Sequence, residues 1–416
     1  MAQPPSNASR RGAGDAREWK LLLACARTRL RDSDRQRIQE LLQGPIDWSR
    51  FISEASRHRL DLLANRHLVS DATVRIPNEA AIALETLARA QSRLSLMHAG
   101  RLVELLDVFQ SAGLTVVPYK GATLGVLAYG NFSLRSFVDL DFVLPQQELL
   151  KAARLLTARG FQAYPDPTVA EEARFLARFH PGQYAFISES KPPQVELHTE
   201  KTLRYLPVPL DWEGLTRRFI EVSFGVRKVR TFSVEDTLVL LTVHGTKHFW
   251  ERLSWICDIA ELVQSQHGVD WELGEGLASR AGCRRMWLLG LFLANQLLEA
   301  PLPPRVRAWI DSDPQVHRLG CQIQGRLTGE QRTIRSAPDR LLFRLRSHES
   351  LSTGLAQCLR TATNPTESDW YACRLPEWAA PLYLAVRPWR LLCEHGSGLS
   401  PKPVLDLLRS FPRRTN

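Results

Sequence analysis

The chain has 416 residues, 44% hydrophobic and 24% charged, with a formal net charge of +10. These values fit a soluble globular protein of two or three domains and exclude a disordered or fibrous chain. The longest apolar run, "MWLLGLFLANQLL", is broken by Asn295 and Gln296 and is too short to span a bilayer, so no membrane partner is expected. Seven scattered cysteines with no CxxC pair exclude a disulfide framework or a cysteine zinc site, and reduced thiols point to the cytoplasm. Only eight of the 54 basic residues are lysines. No Lys/Arg block is dense enough to form a nucleic-acid stripe, so nucleic acid is not an expected partner, although a tRNA end stays open as an acceptor.

Residues 1–16 read as a disordered leader with no apolar signal-peptide core. From 17 to 112 the apolar residues recur at helical spacing, the last and longest pattern running from Asn78 and stopping at Gly113. The texture then changes. "LTVVPY" reads as a buried strand, "GATLGVLAYG" as a helix entered through Gly121, and "SFVDLDFVL" as a strand. "QQELLKAARLLTARG" reads as an amphipathic helix, and "GQYAFISE" and "PQVELHTE" as two more strands around a "KPP" turn. Residues 113–232 therefore form an α/β unit. From 233 to 416 helical texture returns, opening with "SVEDTLVLLTVHGTKHFWERLSWICDIAELVQS", which starts at a capping Ser233 and stays periodic throughout. "APLPPR" and "ATNPTESD" read as linkers. The fold class expected is α+β: a mixed-sheet α/β core with helical N- and C-terminal regions.

Asp139 and Asp141 sit on one strand with a single leucine between them. Alternate strand residues share a face, so Val138, Leu140, Phe142 and Leu144 face a core and the two carboxylates share the other side, about 6.5–7 Å apart at Cα. Two such carboxylates on a partly covered face repel and lose hydration, and a divalent cation removes both costs. Mg²⁺ takes one or two carboxylates plus substrate phosphates. The alternative is an edge strand with one solvated polar face. The surroundings favour the metal: the turn Lys120–Gly121 opens a helix whose N-terminal amides could hold phosphate. On a later strand, Gln194, Glu196 and His198 face one way, and Glu196 supplies the third acid that a two-metal phosphoryl-transfer site needs.

The order strand, glycine-led turn, DxD strand and later acid resembles the nucleotidyltransferase fold of the DNA polymerase β-like superfamily. More closely, "YKGATL", "LRSFVDLDFVL", "VELH", "LLTVHGTKHFWERLSWICDIAEL" and "LYLAVRPWRLL" resemble the bacterial uncharacterised nucleotidyltransferase group, over roughly Trp19 to Gly396. The resemblance implies that Asp139, Asp141 and Glu196 are catalytic metal ligands for one or two Mg²⁺ ions. It also implies that the backbone at Gly121 approaches the phosphates of a nucleoside triphosphate. Lys120, Ala122, Thr123 and Arg135 complete the expected nucleotide-binding set. The superfamily usually carries Gly-Ser or Gly-Gly at this turn; here it is Gly121-Ala122, with Thr123 the nearest hydroxyl and Lys120 either a substitute phosphate contact or a salt-bridge partner.

His244, Lys247 and His248 fall at i, i+3 and i+4 and share one helix face, with Trp255 and Asp258 further along it. HxxxH is a zinc spacing, but Gly245 stands where HExxH has its glutamate, so substrate or phosphate binding is the preferred role. Trp250 and Trp255 are expected in the core. The function expected is Mg²⁺-dependent nucleotidyl transfer from a nucleoside triphosphate to an unknown acceptor: a small molecule such as an antibiotic, a peptide or a protein. The rivals are a non-catalytic nucleotide- or substrate-binding module and a metal-dependent phosphohydrolase.

Overall fold

A computed structural model describes residues 17–163, 166–179, 182–188, 193–199, 211–328 and 337–395. The expected leader lies outside the described residues, as do Lys191 and Pro192 of the "KPP" turn. The N-terminal helices are α1 (Arg17–Cys25), α2 (Asp32–Leu42), α3 (Trp48–Arg57), α4 (Asp61–Leu68) and the 34-residue α5 (Asn78–Ser111). The central part runs β1 (Val117–Pro118), α6 (Gly121–Tyr129), β2 (Asp139–Leu144), α7 (Leu149–Thr157), β3 (Gln162–Ala163), α8 (Ala170–Phe179), β4 (Gln183–Ile187) and β5 (Gln194–Thr199). It continues with α9 (Trp212–Arg218) and a hairpin, β6 (Ile220–Phe224) and β7 (Arg227–Thr231). The helices that follow include α10 (Val234–Lys247), α11 (Leu253–Val263), α12 (Trp271–Arg280), α13 (Arg284–Leu298), α14 (Pro304–Asp311) and α15 (Pro314–Leu327). The last described are α16 (Ala337–Ser347), α17 (Leu351–Thr363), α18 (Glu367–Ala372) and α19 (Tyr383–His395). The molecule is an α+β protein, and none of its described helices is long and apolar enough to cross a membrane.

The sheet is mixed, in the order β1-β2-β5-β4-β3. Only β2 and β5 run parallel; the other neighbours are antiparallel. A parallel pair needs a long crossover, and α7 through β4 supply it. Strand alternation divides the sheet into two faces. Leu140, Phe142 and Leu144 of β2, Val195 and Leu197 of β5, and Tyr184 and Phe186 of β4 are buried in the main core. Phe142 meets Phe109 of α5 edge-on at 5.6 Å. On the opposite face, Val143 joins a small second core with Val117, Tyr119, Leu215, Phe232 and Leu240. That cluster closes one end of this face.

Several expectations are corrected. Val138 does not enter the core: it precedes β2 and is 46% exposed. The helix read from Ser233 to Ser265 is two helices. Ser233 caps the first as expected, accepting from the Asp236 amide at 3.1 Å. The chain then reverses through Phe249 and Trp250, both at φ +56°, because Trp250 donates its amide to Gly245 O at 2.8 Å and its ring packs on Gly245. A Cβ on Gly245 would lie 2.6 Å from that ring, so only glycine admits this packing. Likewise "ATNPTESD" is not all linker: Thr366 caps α18, bonding Asp369 through both its amide and its hydroxyl. The β6–β7 hairpin, turning at Gly225 with φ +64°, was not anticipated.

Candidate active site

The parallel register places Asp141 opposite Glu196 and Val143 opposite His198. Neighbouring strands lie about 4.8 Å apart, so side chains on the same face of β2 and β5 meet. Asp141 Oδ1 accepts from Lys120 Nζ at 3.1 Å and lies 3.0 Å from His198 Nε2. The same His198 nitrogen is 3.3 Å from Glu196 Oε2, which also accepts from Gln183 Nε2 at 2.6 Å. Asp139 stands one pleat before Asp141, at the start of β2.

This crowding separates the two aspartates electrostatically. Burial and the Asp141 charge push the Asp139 carboxyl up to about 6. Burial also opposes charge on Asp141, but Lys120 and His198 hold its carboxyl well below the usual range. Burial opposes charge on His198 too, and the hydrogen bonds to Asp141 and Glu196 outweigh it, raising the imidazole above its ordinary value.

Asp141, Glu196 and His198 each offer a ligand atom, and these atoms lie within 4.8 Å of one another. Two carboxylates and an imidazole suit a divalent cation, with the oxygen share favouring hard ions such as Mg²⁺ or Mn²⁺. His198 thus stands in the ligand group beside two of the three acids singled out from sequence, and Asp139 lies next to it. The sign of His198 in the sequence was the face it shares with Glu196.

These groups open into a cleft of about 520 Å³ lined by Lys120, Gly121, Arg135, Asp139, Asp141, Glu196, His198, His244, Lys247 and His248. Gly121 takes φ +55°, and a Cβ there would come within 3.4 Å of Asp139 O and the Phe137 ring. A side chain at that position would be strained by the left-handed backbone. Ala122 and Thr123 do not line the cleft. Both are buried, and the Thr123 hydroxyl donates to Lys120 O at 2.8 Å, closing the first turn of α6. Arg135 reaches the cleft with its fork engaged: Nε and Nη2 donate to the two oxygens of Asp258 at 2.8 and 2.9 Å. Tyr129 adds a 2.7 Å bond to the same carboxylate. Asp258 is therefore a buried anchor on α11 for the loop leading into β2.

His244 lies on the last turn of α10 and His248 is its C-cap. Trp255 comes back from α11 and meets both rings at 5.4 Å, so it is a wall of the cleft, whereas Trp250 is wholly buried. Burial, aided by Lys120, drives His244 well below its ordinary value; burial, aided by Lys247, drives His248 down to about 4. Neither ring joins a group of potential metal ligands among the described residues. The cleft also receives Arg59, Gln183, Glu251 and Arg252, which the sequence did not single out.

A family described as uncharacterised nucleotidyltransferase matches residues 44–299, more than half of the chain. The chain belongs to this nucleotidyltransferase family. The matched span contains the whole carboxylate cluster and both arms of the α10–α11 turn, and leaves out "LYLAVRPWRLL" near the C-terminus. No curated protein and no solved structure matches this nucleotidyltransferase family member.

Proposed function

We infer that the protein transfers a nucleotidyl group from a nucleoside triphosphate to an acceptor hydroxyl or similar nucleophile, with a divalent cation, Mg²⁺ by preference, at the carboxylate cluster. The observation that carries this reading is the meeting of Asp139, Asp141, Glu196 and His198 in one cleft beside the glycine-led start of α6. Family membership supports the reaction class, and the ligand group supports the metal. A bound divalent ion would supply charge neutralisation for the phosphates and the leaving group. Asp139 and Asp141 on β2, with Glu196 and His198 of β5 beside them, are the residues that would hold it.

The chain's own groups divide the remaining work. The amide end of α6 carries positive potential and suits phosphate, and Gly121 keeps that end free of a side chain. The acceptor oxygen attacks the α-phosphorus, the bond to the bridging oxygen of pyrophosphate breaks, and Glu196 receives the acceptor's proton. His198 suits this proton less, because its Nε2 is already engaged by Asp141 and Glu196. His244, Lys247 and His248 line the same cleft and would contact substrate there. Free cysteines at all seven positions fit a cytoplasmic setting.

Mass spectrometry tests this directly. Incubating the protein with each nucleoside triphosphate, Mg²⁺ and candidate peptides, proteins and small hydroxylated compounds should add one nucleoside monophosphate to an acceptor. Binding without transfer to any acceptor would favour the non-catalytic module. Nucleotide or phosphodiester hydrolysis with no adduct would favour the phosphohydrolase.

A further inference from the structure

Two turns carry arginines into this cleft from outside the sheet, and the same device builds both. After α3, Arg59 donates its amide to Ser56 O at 3.0 Å and Leu60 donates to Ala55 O at 2.8 Å. This is the Schellman pattern, whose left-handed position is usually glycine; here Arg59 occupies it at φ +57°. After α10, the Trp250 amide closes the matching turn on Gly245 O, with Phe249 in the left-handed position, and Arg252 follows. A large side chain held at positive φ is strained, and such strain concentrates at functional sites.

The two turns are fastened to each other. Leu253, next to Arg252, donates its amide to Nδ1 of His58, next to Arg59, at 2.9 Å. His58 and Leu253 are both wholly buried. Arg59 and Arg252 are thereby held on the same wall of the cleft. Neither guanidinium has a hydrogen-bond or ion-pair partner among the described residues; Arg252 rests over the Trp255 ring at 5.5 Å. Burial and the Arg252 charge disfavour the Arg59 cation, and of the nearby acids Asp139 offsets this most.

We propose that Arg59 and Arg252 seat a pyrophosphate unit, the β- and γ-phosphates of the nucleoside triphosphate. This assignment rests on the nucleotidyltransferase reading of the site. The guanidinium fork matches phosphate oxygens bidentately, and two adjacent unpaired forks call for a polyanion. The polarity of the cleft selects the nucleotide's tail over a phosphorylated acceptor. A cation held by carboxylates takes its other ligands from substrate phosphates, and Asp139, the acid that most offsets the burial of Arg59, lines the same cleft as both arginines. Glu196, the group that receives the acceptor's proton, lies instead with His198 and Gln183.

Calorimetry on the full chain tests the seat with each nucleoside triphosphate, each monophosphate and inorganic pyrophosphate, all with Mg²⁺. Arg59→Gly is the informative variant, because glycine prefers the backbone conformation that arginine is forced to adopt. It should melt at or above the parent temperature, yet bind triphosphate and pyrophosphate ~10-fold or more weakly, the scale of losing charge-assisted hydrogen bonds. Monophosphate affinity should stay within about two-fold, since the α-phosphate has no contact with this seat. Arg252→Gln should give the same split and guards against a local effect at residue 59. Parent-like triphosphate binding in both variants overturns the seat and leaves the transferase reading standing. Equal losses for mono- and triphosphate overturn it as well. Pyrophosphate binding that depends on Arg59, in a protein that binds no nucleotide, keeps the seat and removes the transferase reading.

Discussion

Lys120 Nζ lies 3.1 Å from Asp141 Oδ1, and the pair is almost closed to solvent, at 13% and 3% side-chain exposure. The ammonium thus supplies positive charge to the very carboxylate that heads the ligand group. Truncating one member of a buried pair strands the other charge. Lys120→Met should therefore destabilise the protein in EDTA by about 3 kcal/mol, read from urea denaturation. Mg²⁺ or Mn²⁺ should then restore part of that loss, because binding to the folded state alone stabilises it. Undiminished stability in EDTA would show that Lys120 does not balance the cluster.

Asp139 behaves in the opposite sense. Its folded carboxyl is raised from 3.8 to about 6 by burial and by Asp141. An acid with a raised folded value holds its proton more tightly folded than unfolded. Its penalty is absent below the unfolded value, grows as pH rises between the two, and is complete above about 6. Asp139→Asn should thus gain stability on the order of 2 kcal/mol over the parent at pH 7.5 in EDTA, and little at pH 4. Saturating Mg²⁺ should narrow the gap. Parallel pH–stability curves for the two proteins would refute the assignment.

The two aspartates were legible because a strand has period two: alternation in "DLDFVL" and "QVELH" put the acids on one face whatever the rest of the fold. Their neighbours were less so. Arg135 was legible as a cleft residue, but its partner Asp258 lies 123 positions on, and no local pattern links them. Arg59 carried no signal, because a helix stop is normally marked by glycine and here the left-handed position holds arginine. The break after His248 was hidden because apolar spacing runs on through Leu253 and Ile256. Packing of the Trp250 ring back on Gly245, five residues earlier, ends the helix, and apolar periodicity carries no mark of it.

Gly245 is consequently a sensitive position. Alanine there would normally favour the helix by up to ~1 kcal/mol. Against this, its Cβ would meet the fully buried Trp250 ring at 2.6 Å, closer than packed atoms allow. Overpacking of this kind costs about 1–3 kcal/mol, so the clash wins. Gly245→Ala should lower the melting temperature and, by shifting the turn that carries Glu251, Arg252 and Trp255, weaken triphosphate binding. A variant that melts and binds like the parent would mean that the turn tolerates a displaced Trp250.

Glu196 separates an enzyme from a binding module. It faces Asp141 across the parallel ladder and is oriented by Gln183. Its neighbour His198 is pinned between the two carboxylates through Nε2, which leaves that nitrogen engaged and makes it the poorer proton acceptor. Glu196→Gln keeps the side-chain shape and removes the proton acceptor. Mg²⁺–triphosphate affinity should stay within a few-fold, because Asp139 and Asp141 remain. Turnover should fall by ~10²-fold or more, the contribution of general acid–base help. The Gln183→Ala variant, which only loosens Glu196, should fall between parent and Glu196→Gln. If Glu196→Gln retains full turnover, proton removal belongs elsewhere, and His198→Gln becomes the decisive comparison. If triphosphate binding itself collapses, Glu196 serves mainly to hold the metal, and the fall in turnover follows from lost substrate rather than lost proton transfer.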